Sequence, residues 1–307
     1  MVIGAGFFGH VIARRLADVG IAPVVASRTH GELRLDVEDG GSIRAGLHPG
    51  DVIVDTAGPF QQRSTALAEA ALELDCDVID LSDSLAYARG MLELHARAVA
   101  KGVRIFTSCS AIATVAASAI RLGGRAAPET CDLFLAPASA DTGNPATVRA
   151  FLSSVDWSRS REFPADRRRG YRVESAAAVL LPRSWPSLRW VDFWVDPNAP
   201  FAARSIALAS RLGLTGALSA VAPLSARILG RREGSFTIAI SEAGQYSLTR
   251  LAAPRGSYLI AAEPAVLAAE SLARGSDSPP GVVAADKQVD PEALFARLRG
   301  LGVDVRT

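Results

Sequence analysis

The first third of the chain alternates short apolar runs with stretches whose apolar residues recur three or four positions apart. The first pattern predicts buried strands and the second predicts amphipathic helices. Strands are predicted in the opening residues and at residues 22–27, 33–37, 51–57, 78–81 and 103–107, and helices at residues 8–19, 64–74 and 87–101. This alternation favours an α/β fold, a Rossmann-type doubly wound parallel sheet with helices on both faces.

From Cys131 onward, apolar and polar positions alternate, which is typical of antiparallel strands with one covered face. Strands are predicted at residues 133–136, 189–195, 235–241 and 246–251, and helices at residues 146–155, 261–273 and 291–298. We therefore expect a dinucleotide-binding domain over residues 1–125, an α+β substrate and dimerisation domain over residues 126–253, and a C-terminal helical segment over residues 254–307.

Three glycines near the amino terminus have the spacing G-x-G-x-x-G between the first predicted strand and helix. In a dinucleotide-binding turn, Gly4 makes the turn, Gly6 lets the backbone approach a pyrophosphate, and Gly9 packs the helix against the strand. The helix start at Phe7 and Phe8 then offers unpaired N–H groups to phosphate oxygens. A tight turn with a purely structural role remains the alternative.

The end of the second predicted strand bears on the choice between NAD and NADP. NAD sites usually place an acid here for the ribose 2′-hydroxyl, whereas this chain has Ser27, Arg28 and Thr29, which suit a 2′-phosphate. NADP is therefore favoured over NAD, unless Arg28 is only a solvated loop residue. Asp36, after the third strand, is expected to face the adenine end of the cofactor, or else to cap a turn.

Composition and charge narrow the class of ligand. The chain has 307 residues, of which 49% are hydrophobic and 21% charged, and Lys plus Arg number 33 against 32 for Asp plus Glu. This balance argues against nucleic acid and for a small-molecule substrate. The three cysteines (Cys76, Cys109, Cys131) lack metal-ligand spacing, so we expect no metal site, and with no visible signal peptide we expect a cytoplasmic protein.

Several segments together resemble the saccharopine dehydrogenase-like oxidoreductases. They are the glycine motif, the strand end Thr-Ala-Gly-Pro-Phe at residues 56–60, the strand Val-Ile-Asp-Leu-Ser-Asp at residues 78–83, the helix end Ala-Val-Ala-Lys-Gly-Val at residues 98–103, and the closing residues 254–305. The resemblance covers roughly the first 120 and the last 50 residues. It implies that the closing helices pack back against the first domain.

The resemblance also implies binding roles at the end of the fourth strand. Ala57, Gly58 and Pro59 would pass beneath the pyrophosphate and the nicotinamide ribose, and Phe60 would line the nicotinamide pocket. The chain departs from the family pattern at Val78 and Ser84, where an aromatic residue and a glutamate are common. It departs again at residues 108–114, which replace a loop rich in glycine and proline. These departures fall at the expected entrance to the substrate-binding site.

Hydride chemistry needs a group that supplies or accepts a proton. The four histidines stand in no catalytic arrangement, and no tyrosine has the lysine four residues later that short-chain reductases use. Asp80 and Asp83 are possible acids near the nicotinamide, although capping would also explain them. Cys109 is a possible thiolate at a helix start, with a capping turn as the alternative.

Three further segments leave alternatives open. The loop at residues 141–144 would bind a substrate carboxylate or simply cap the next helix. Arginines interleaved with aromatic residues at 157–172 predict a surface loop that closes over an anionic ligand, with nucleic-acid contact as the alternative. The apolar segment from Ser205 to Gly230 contains arginines and a proline, so it predicts a packed helical pair rather than stable membrane insertion.

These observations predict an NADP-dependent oxidoreductase that transfers a hydride between the nicotinamide and a small carbonyl, imine or secondary amine. By analogy with two-domain reductases, the second sheet would form the substrate cleft on one face and a homodimer contact on the other. The altered loop at residues 108–114 leaves a cofactor-binding sensor or scaffold without catalysis as an alternative. A membrane-apposed protein that uses the segment from Ser205 is a third hypothesis.

Overall fold

The structure is a computed structural model that describes residues 1–164, 168–198, 230–275 and 277–307. These residues form two seven-stranded sheets. Most of the predicted segment from Ser205 to Gly230 therefore lies outside the described residues. Within the described parts, no helix combines the length and hydrophobicity that a membrane crossing requires.

The first sheet is parallel throughout and has the order β13-β6-β5-β4-β1-β2-β3. Its strands are β1 (Val2–Ile3), β2 (Val25–Ser27), β3 (Leu33–Arg34), β4 (Val52–Asp55), β5 (Asp77–Asp80), β6 (Arg104–Phe106) and β13 (Gly281–Val282). The predicted Rossmann-type sheet is confirmed. The sequence pattern did not indicate the edge strand β13, which the closing part of the chain supplies.

Helices lie on both faces of this sheet. They are α1 (Phe7–Asp18), α2 (Gly40–Gly46), α3 (Ala66–Glu73), α4 (Leu85–Glu93), α5 (His95–Lys101) and α6 (Ala116–Leu122), with a short 3-10 helix at Phe60–Gln62 and a π-helical turn at Ala111–Val115. One helix was predicted at residues 87–101, but the chain bends at Leu94 and forms α4 and α5. A buried core therefore lies on each face.

The second sheet has the order β14-β12-β11-β7-β10-β9-β8, and only the pair β7–β10 is parallel. Its strands are β7 (Thr130–Ala136), β8 (Val155–Glu162), β9 (Arg169–Val173), β10 (Trp190–Val195), β11 (Gly234–Glu242), β12 (Gln245–Ala253) and β14 (Asp304–Arg306). The predicted mostly antiparallel sheet is confirmed.

The prediction of a surface loop at residues 157–172 is wrong for most of that segment, because β8 and β9 pair as a hairpin. Arginines on the hairpin form ion pairs with acids on β7 and β10. Arg161 pairs with Asp132 at 2.5 Å, and Arg172 pairs with Asp192 at 2.6 Å. A charged strand that is paired in this way lacks the apolar alternation on which the prediction relied.

The remaining described helices are α7 (Ser139–Thr142), α8 (Pro145–Ser154), α9 (Ala177–Ser184), α10 (Leu259–Ala273) and α11 (Pro291–Gly300). Helix α10 packs on the first sheet beside α1, and Arg15 of α1 donates to the fully buried Glu263 of α10 at 2.6 Å. Asp290 caps α11 by accepting from the Ala293 N–H. The closing part of the chain thus contacts both sheets, since β13 joins the first and β14 the second.

Candidate functional site

A cavity of about 850 Å³ lies between the carboxyl ends of the first sheet and the inner face of the second. Open α/β sheets bind their ligands beyond these strand ends. The volume is within the range of pockets for cofactors and small molecules. Three strand ends that the sequence singled out meet there, namely the turns after β1, β2 and β4.

The turn after β1 is built by glycines with different tasks. Gly4 has a φ of +108°, a conformation that side chains rarely adopt. A Cβ on Gly9 would lie 1.7 Å from the Gly4 carbonyl oxygen, so only glycine lets α1 pack this closely. A Cβ on Gly6 would meet no protein atom within 4 Å, although Gly6 lines the cavity. The space beside Gly6 is therefore open to a ligand.

The amino terminus of α1 faces the same space. The helix begins at Phe7, its N-cap is Gly6, and no side chain caps its first N–H groups. Phe7 and Phe8 both line the cavity. Free N–H groups at a helix start attract phosphate oxygens, so the turn fits the pyrophosphate of a dinucleotide.

Thr56, which the sequence analysis did not single out, secures this turn from the neighbouring strand end. Its hydroxyl lies 3.0 Å from the carbonyl oxygens of both Ile3 and Gly4 and can donate to either. Because these partners are more than 50 positions away in the chain, no local pattern indicates the role of Thr56.

The end of β2 supplies the cationic part of the cavity wall, formed by Ser27, Arg28, Thr29 and His30. The Ser27 hydroxyl oxygen accepts from the His30 N–H at 2.9 Å and so shapes the loop. Arg28 is exposed, and the structure gives its guanidinium no ion pair within the described residues. These residues fit an anionic group on the adenine side of a cofactor. His30 was not predicted.

Asp36 does not lie where it was expected. Its neighbours Leu35 and Val37 line the cavity, whereas Asp36 does not. The Asp36 carboxylate instead accepts from the Glu38 N–H at 3.1 Å. A turn at residues 37–38 directly follows Asp36, and this hydrogen bond keeps its carboxylate at that turn. Asp36 therefore caps a turn, which was the other role expected from the sequence.

After β4, Ala57, Gly58, Pro59 and Phe60 line the cavity together, and the Gly58–Pro59 peptide bond is cis. A buried ion pair holds this turn from behind. The Arg63 guanidinium lies 3.1 Å from the carboxylate of Asp55 and donates to the Ala57 carbonyl at 2.6 Å.

Asp55 also accepts from the Ala57 N–H at 2.9 Å, so the backbone of Ala57 is fixed on both its donor and its acceptor side. Asp55 is fully buried, and the Arg63 side chain is only 6% exposed. A buried ion pair of this kind needs each of its partners, since an unpaired buried charge is costly. Sequence reasoning missed both residues.

The three candidate catalytic residues have different surroundings. Asp83 lines the cavity, and Gln61 donates to its Oδ1 at 2.8 Å. Burial raises the pKa of the Asp83 carboxyl, while the hydrogen bond from Gln61 opposes the shift. Among the described residues that line the cavity, Asp83 is the one acid.

Asp80 and Cys109 are buried beneath the cavity and do not line it. Asp80 accepts from the N–H groups of Ser82 and Ser108, each at 2.9 Å, so it ties two strand-end turns together. Burial raises the pKa of Asp80 to about 7, against these hydrogen bonds. Burial also raises the pKa of the Cys109 thiol well above its ordinary value, which corrects the expectation of a reactive thiolate.

The opposite wall of the cavity comes from the second sheet, from α8 and from the start of α10, and most of it is apolar. It is formed by side chains that include Leu135, Phe151, Val173, Phe193, Phe236 and Ile260. In the loop before α8, Asn144 caps the helix by accepting from the Thr147 N–H at 3.0 Å. Thr142, Gly143 and Asn144 also line the cavity, so this predicted cap lies at its edge.

Comparison with protein families gives one match. Residues 1–106 match the family model described as the saccharopine dehydrogenase NADP binding domain. The predicted resemblance is therefore confirmed for the part of the chain that forms the glycine turn and the strand ends after β2 and β4. A domain of this kind works with a pyridine nucleotide and a small-molecule substrate, so the match supports the expected dehydrogenase class. No curated protein sequence matches the chain.

Solved structures extend the likeness of fold to the whole chain. The apo histidine-tagged saccharopine dehydrogenase (L-Glu forming) of Saccharomyces cerevisiae has a TM-score of 0.63 at 14% identity, over 99% of this chain and 98% of that one. The amine dehydrogenase of Mycobacterium smegmatis has a TM-score of 0.54 at 13% identity, over 93% and 94%. At these identities the two structures establish the shared fold.

Proposed function

We propose that the protein is an NADP-dependent oxidoreductase that transfers a hydride between the nicotinamide and a small carbonyl, imine or secondary amine substrate. The observation that carries this proposal is the glycine turn. Gly6 leaves open space where a pyrophosphate would approach, and the uncapped start of α1 faces that space. The family model that matches residues 1–106 supports the same cofactor class.

The residues present suit both ends of such a cofactor. The N–H groups at Phe7 and Phe8 would hold the pyrophosphate, and Arg28 with Thr29 would hold the 2′-phosphate. Ala57, Gly58 and Pro59 would support the nicotinamide ribose, with Phe60 beside the ring. The bound nicotinamide would supply the hydride chemistry. The chain itself orients the reactants, excludes water with its apolar wall, and offers Asp83 as the acid in the cavity.

Thermal unfolding with saturating NADPH, with saturating NADH and with neither tests the proposal. A ligand that binds only the native state raises the midpoint by mass action. We expect NADPH to raise it more than NADH does, and Arg28→Ala to remove most of that difference. Arg14→Ala, which removes an exposed arginine on α1, is the control.

A protein whose midpoint neither nucleotide changes would contradict the proposal. Stabilisation by NADPH in a protein that oxidises or reduces no carbonyl, imine or amine would instead favour a cofactor-binding sensor or scaffold.

We further propose that the protein is a homodimer in the cytoplasm. The second sheet carries the exposed aromatic residues Trp190 (68% exposed) and Tyr246 (55% exposed), which would be covered in a dimer. All three cysteines are free and buried, as suits a reducing compartment. Light scattering of the purified protein tests the dimer, and Trp190→Glu is expected to shift it toward monomer. A monomer at micromolar concentration would contradict it.

A further inference from the structure

Arg63 lies behind the part of the cavity wall that follows β4 and does not line the cavity itself. Its side chain is only 6% exposed, and each of its three guanidinium nitrogens has an acceptor. Nε donates to Glu38 Oε1 at 2.8 Å, Nη1 donates to the Ala57 carbonyl at 2.6 Å, and Nη2 donates to Asp55 Oδ2 at 3.1 Å. One buried cation therefore joins the loop after β3, the end of β4 and the turn that follows β4.

Two contacts of Arg63 involve residues that line the cavity, Ala57 and Phe60. Arg63 donates to the Ala57 carbonyl, and its Cζ lies 5.5 Å from the centroid of the Phe60 ring. Tyr87 packs against the same ring, with the two ring centroids 5.1 Å apart. The backbone and the aromatic ring of this turn are thus held in place before a ligand binds, so that binding does not have to order them.

An ion pair that serves stability alone would not need such contacts, and Arg44 shows the difference. Its guanidinium donates to Glu73 Oε2 at 2.7 Å and 2.9 Å and so connects α2 to α3. It also donates to the Gly40 carbonyl, and neither of these partners lines the cavity. The Arg44 side chain is 53% exposed. Burial of the Arg63 guanidinium costs far more solvation, and its contacts fix a segment that faces the ligand.

We propose that Arg63 is a positioning residue, which fixes the turn at residues 57–60 so that the nicotinamide half of the cofactor binds in one orientation. This inference rests on the proposed function, in which that turn supports the nicotinamide ribose and ring. The adenosine half should not depend on Arg63. Glu38, in the loop after β3, also accepts from the Ser64 hydroxyl at 2.6 Å and from the Ser64 N–H at 3.2 Å, and both bonds remain without Arg63.

Comparison of the whole cofactor with its adenosine half tests the inference. Titration calorimetry would measure NADPH and adenosine 2′,5′-bisphosphate on the native protein and on Arg63→Lys. Lysine keeps the charge that Asp55 requires, but one ammonium cannot replace the planar set of donors. We expect NADPH affinity to fall roughly tenfold and adenosine 2′,5′-bisphosphate affinity to stay within about twofold. Arg44→Lys is the matched control and should change neither affinity.

A second variant replaces both members of the buried ion pair. Arg63→Leu combined with Asp55→Asn leaves no unpaired buried charge, and the asparagine oxygen can still accept from the Ala57 N–H. It tests the inference even if Arg63→Lys does not fold, and we expect the same selective loss of NADPH affinity. The fluorescence anisotropy decay of bound NADPH measures the mobility of the nicotinamide. It should be faster in both variants, a change that lower stability alone would not cause.

Equal losses of affinity for the two ligands, or an unchanged affinity for NADPH, would overturn the inference. A bound nicotinamide that stays as immobile as in the native protein would also overturn it. If the native protein still binds NADPH in those cases, the proposed function stands. If the native protein binds neither NADPH nor NADH, the proposed function fails, and the inference fails with it.

Discussion

The two sides of the cavity are built on different principles. The side formed by the first sheet contains short segments whose backbone shape requires particular residues, namely the glycines at the turn after β1 and the cis Gly58–Pro59 bond after β4. The side formed by the second sheet offers side chains, most of them apolar and drawn from separate strands and helices. A backbone site requires particular residue types at fixed spacing, whereas an apolar wall requires only volume. The residue types that the first side requires can therefore be recognised in the sequence, and those of the second side cannot.

The largest expected effect is on the free energy of unfolding and comes from Gly9, which packs against the glycine turn after β1. Gly9→Ala places a Cβ 1.7 Å from the Gly4 oxygen, so α1 must move away from the turn. We expect the free energy of unfolding to fall by about 3 kcal/mol or more, as for severe overpacking. Urea denaturation measures it. Gly6→Ala is the matched control, and an equal loss in both variants would contradict this packing account.

The next effect concerns Asp80, which is buried at the end of β5, beneath the cavity. Its folded-state pKa of about 7 exceeds the unfolded value of about 3.9. Between these values the unfolded chain is ionised while the folded protein still holds the proton. The contribution of Asp80 to stability is therefore fully present below about pH 4. It is lost, by about 1.4 kcal/mol per pH unit at most, as the pH rises toward 7.

Asp80→Asn removes this titration and keeps an oxygen that can accept from the N–H groups of Ser82 and Ser108. The stability of the variant relative to the native protein should therefore increase with pH across that window. Urea denaturation at several pH values checks this, with Asp75→Asn as the control. A difference that stays constant with pH would show that Asp80 does not titrate in this range.

A third prediction separates the effect of a side chain on nucleotide binding from its effect on packing. Gly6→Ala adds a Cβ that meets no protein atom within 4 Å, and the φ of −85° at Gly6 suits alanine. We expect the unfolding free energy to change by less than about 0.5 kcal/mol. NADPH affinity should nevertheless fall roughly tenfold or more, because the methyl group occupies the phosphate approach. Titration calorimetry measures it, and unchanged affinity would mean that the pyrophosphate passes elsewhere.

The smallest effect belongs to the apolar wall. Phe151 lies on α8, is half-buried, and lines the cavity. Phe151→Ala removes apolar contact area, so we expect KM for an apolar substrate to rise about threefold to tenfold. NADPH affinity should not change, since Phe151 lies on the wall opposite the glycine turn. A matching loss of NADPH affinity would show that the two sides do not act separately.

The same contrast explains what the sequence could predict. The parallel sheet, the glycine turn and the strand end at residues 57–60 were predicted because each depends on local patterns or on short motifs. Thr56 and the pair of Asp55 with Arg63 were missed because their partners are distant in the chain or buried behind the motif. The spacing of residues in the sequence does not identify a residue whose role is to hold another residue in position.

Two other differences have physical causes of their own. Asp36 was expected at the cofactor, but its carboxylate accepts from the Glu38 N–H in the following turn, while Leu35 and Val37 line the cavity. The hairpin of β8 and β9 was predicted as a loop because its strands are charged and form ion pairs with acids on β7 and β10. Asp80, Asp83 and Cys109 were equivalent candidates in the sequence, and only their burial and lining of the cavity distinguish them.

The most direct test of the account is a crystal structure of the protein with bound NADPH. We expect the pyrophosphate to accept hydrogen bonds from the N–H groups at the start of α1, beside Gly6. We also expect the 2′-phosphate to lie against Arg28, and the nicotinamide to lie beside Phe60 and open toward Asp83. A nucleotide bound elsewhere, or one whose pyrophosphate does not contact the turn from Gly4 to Gly9, would contradict the account.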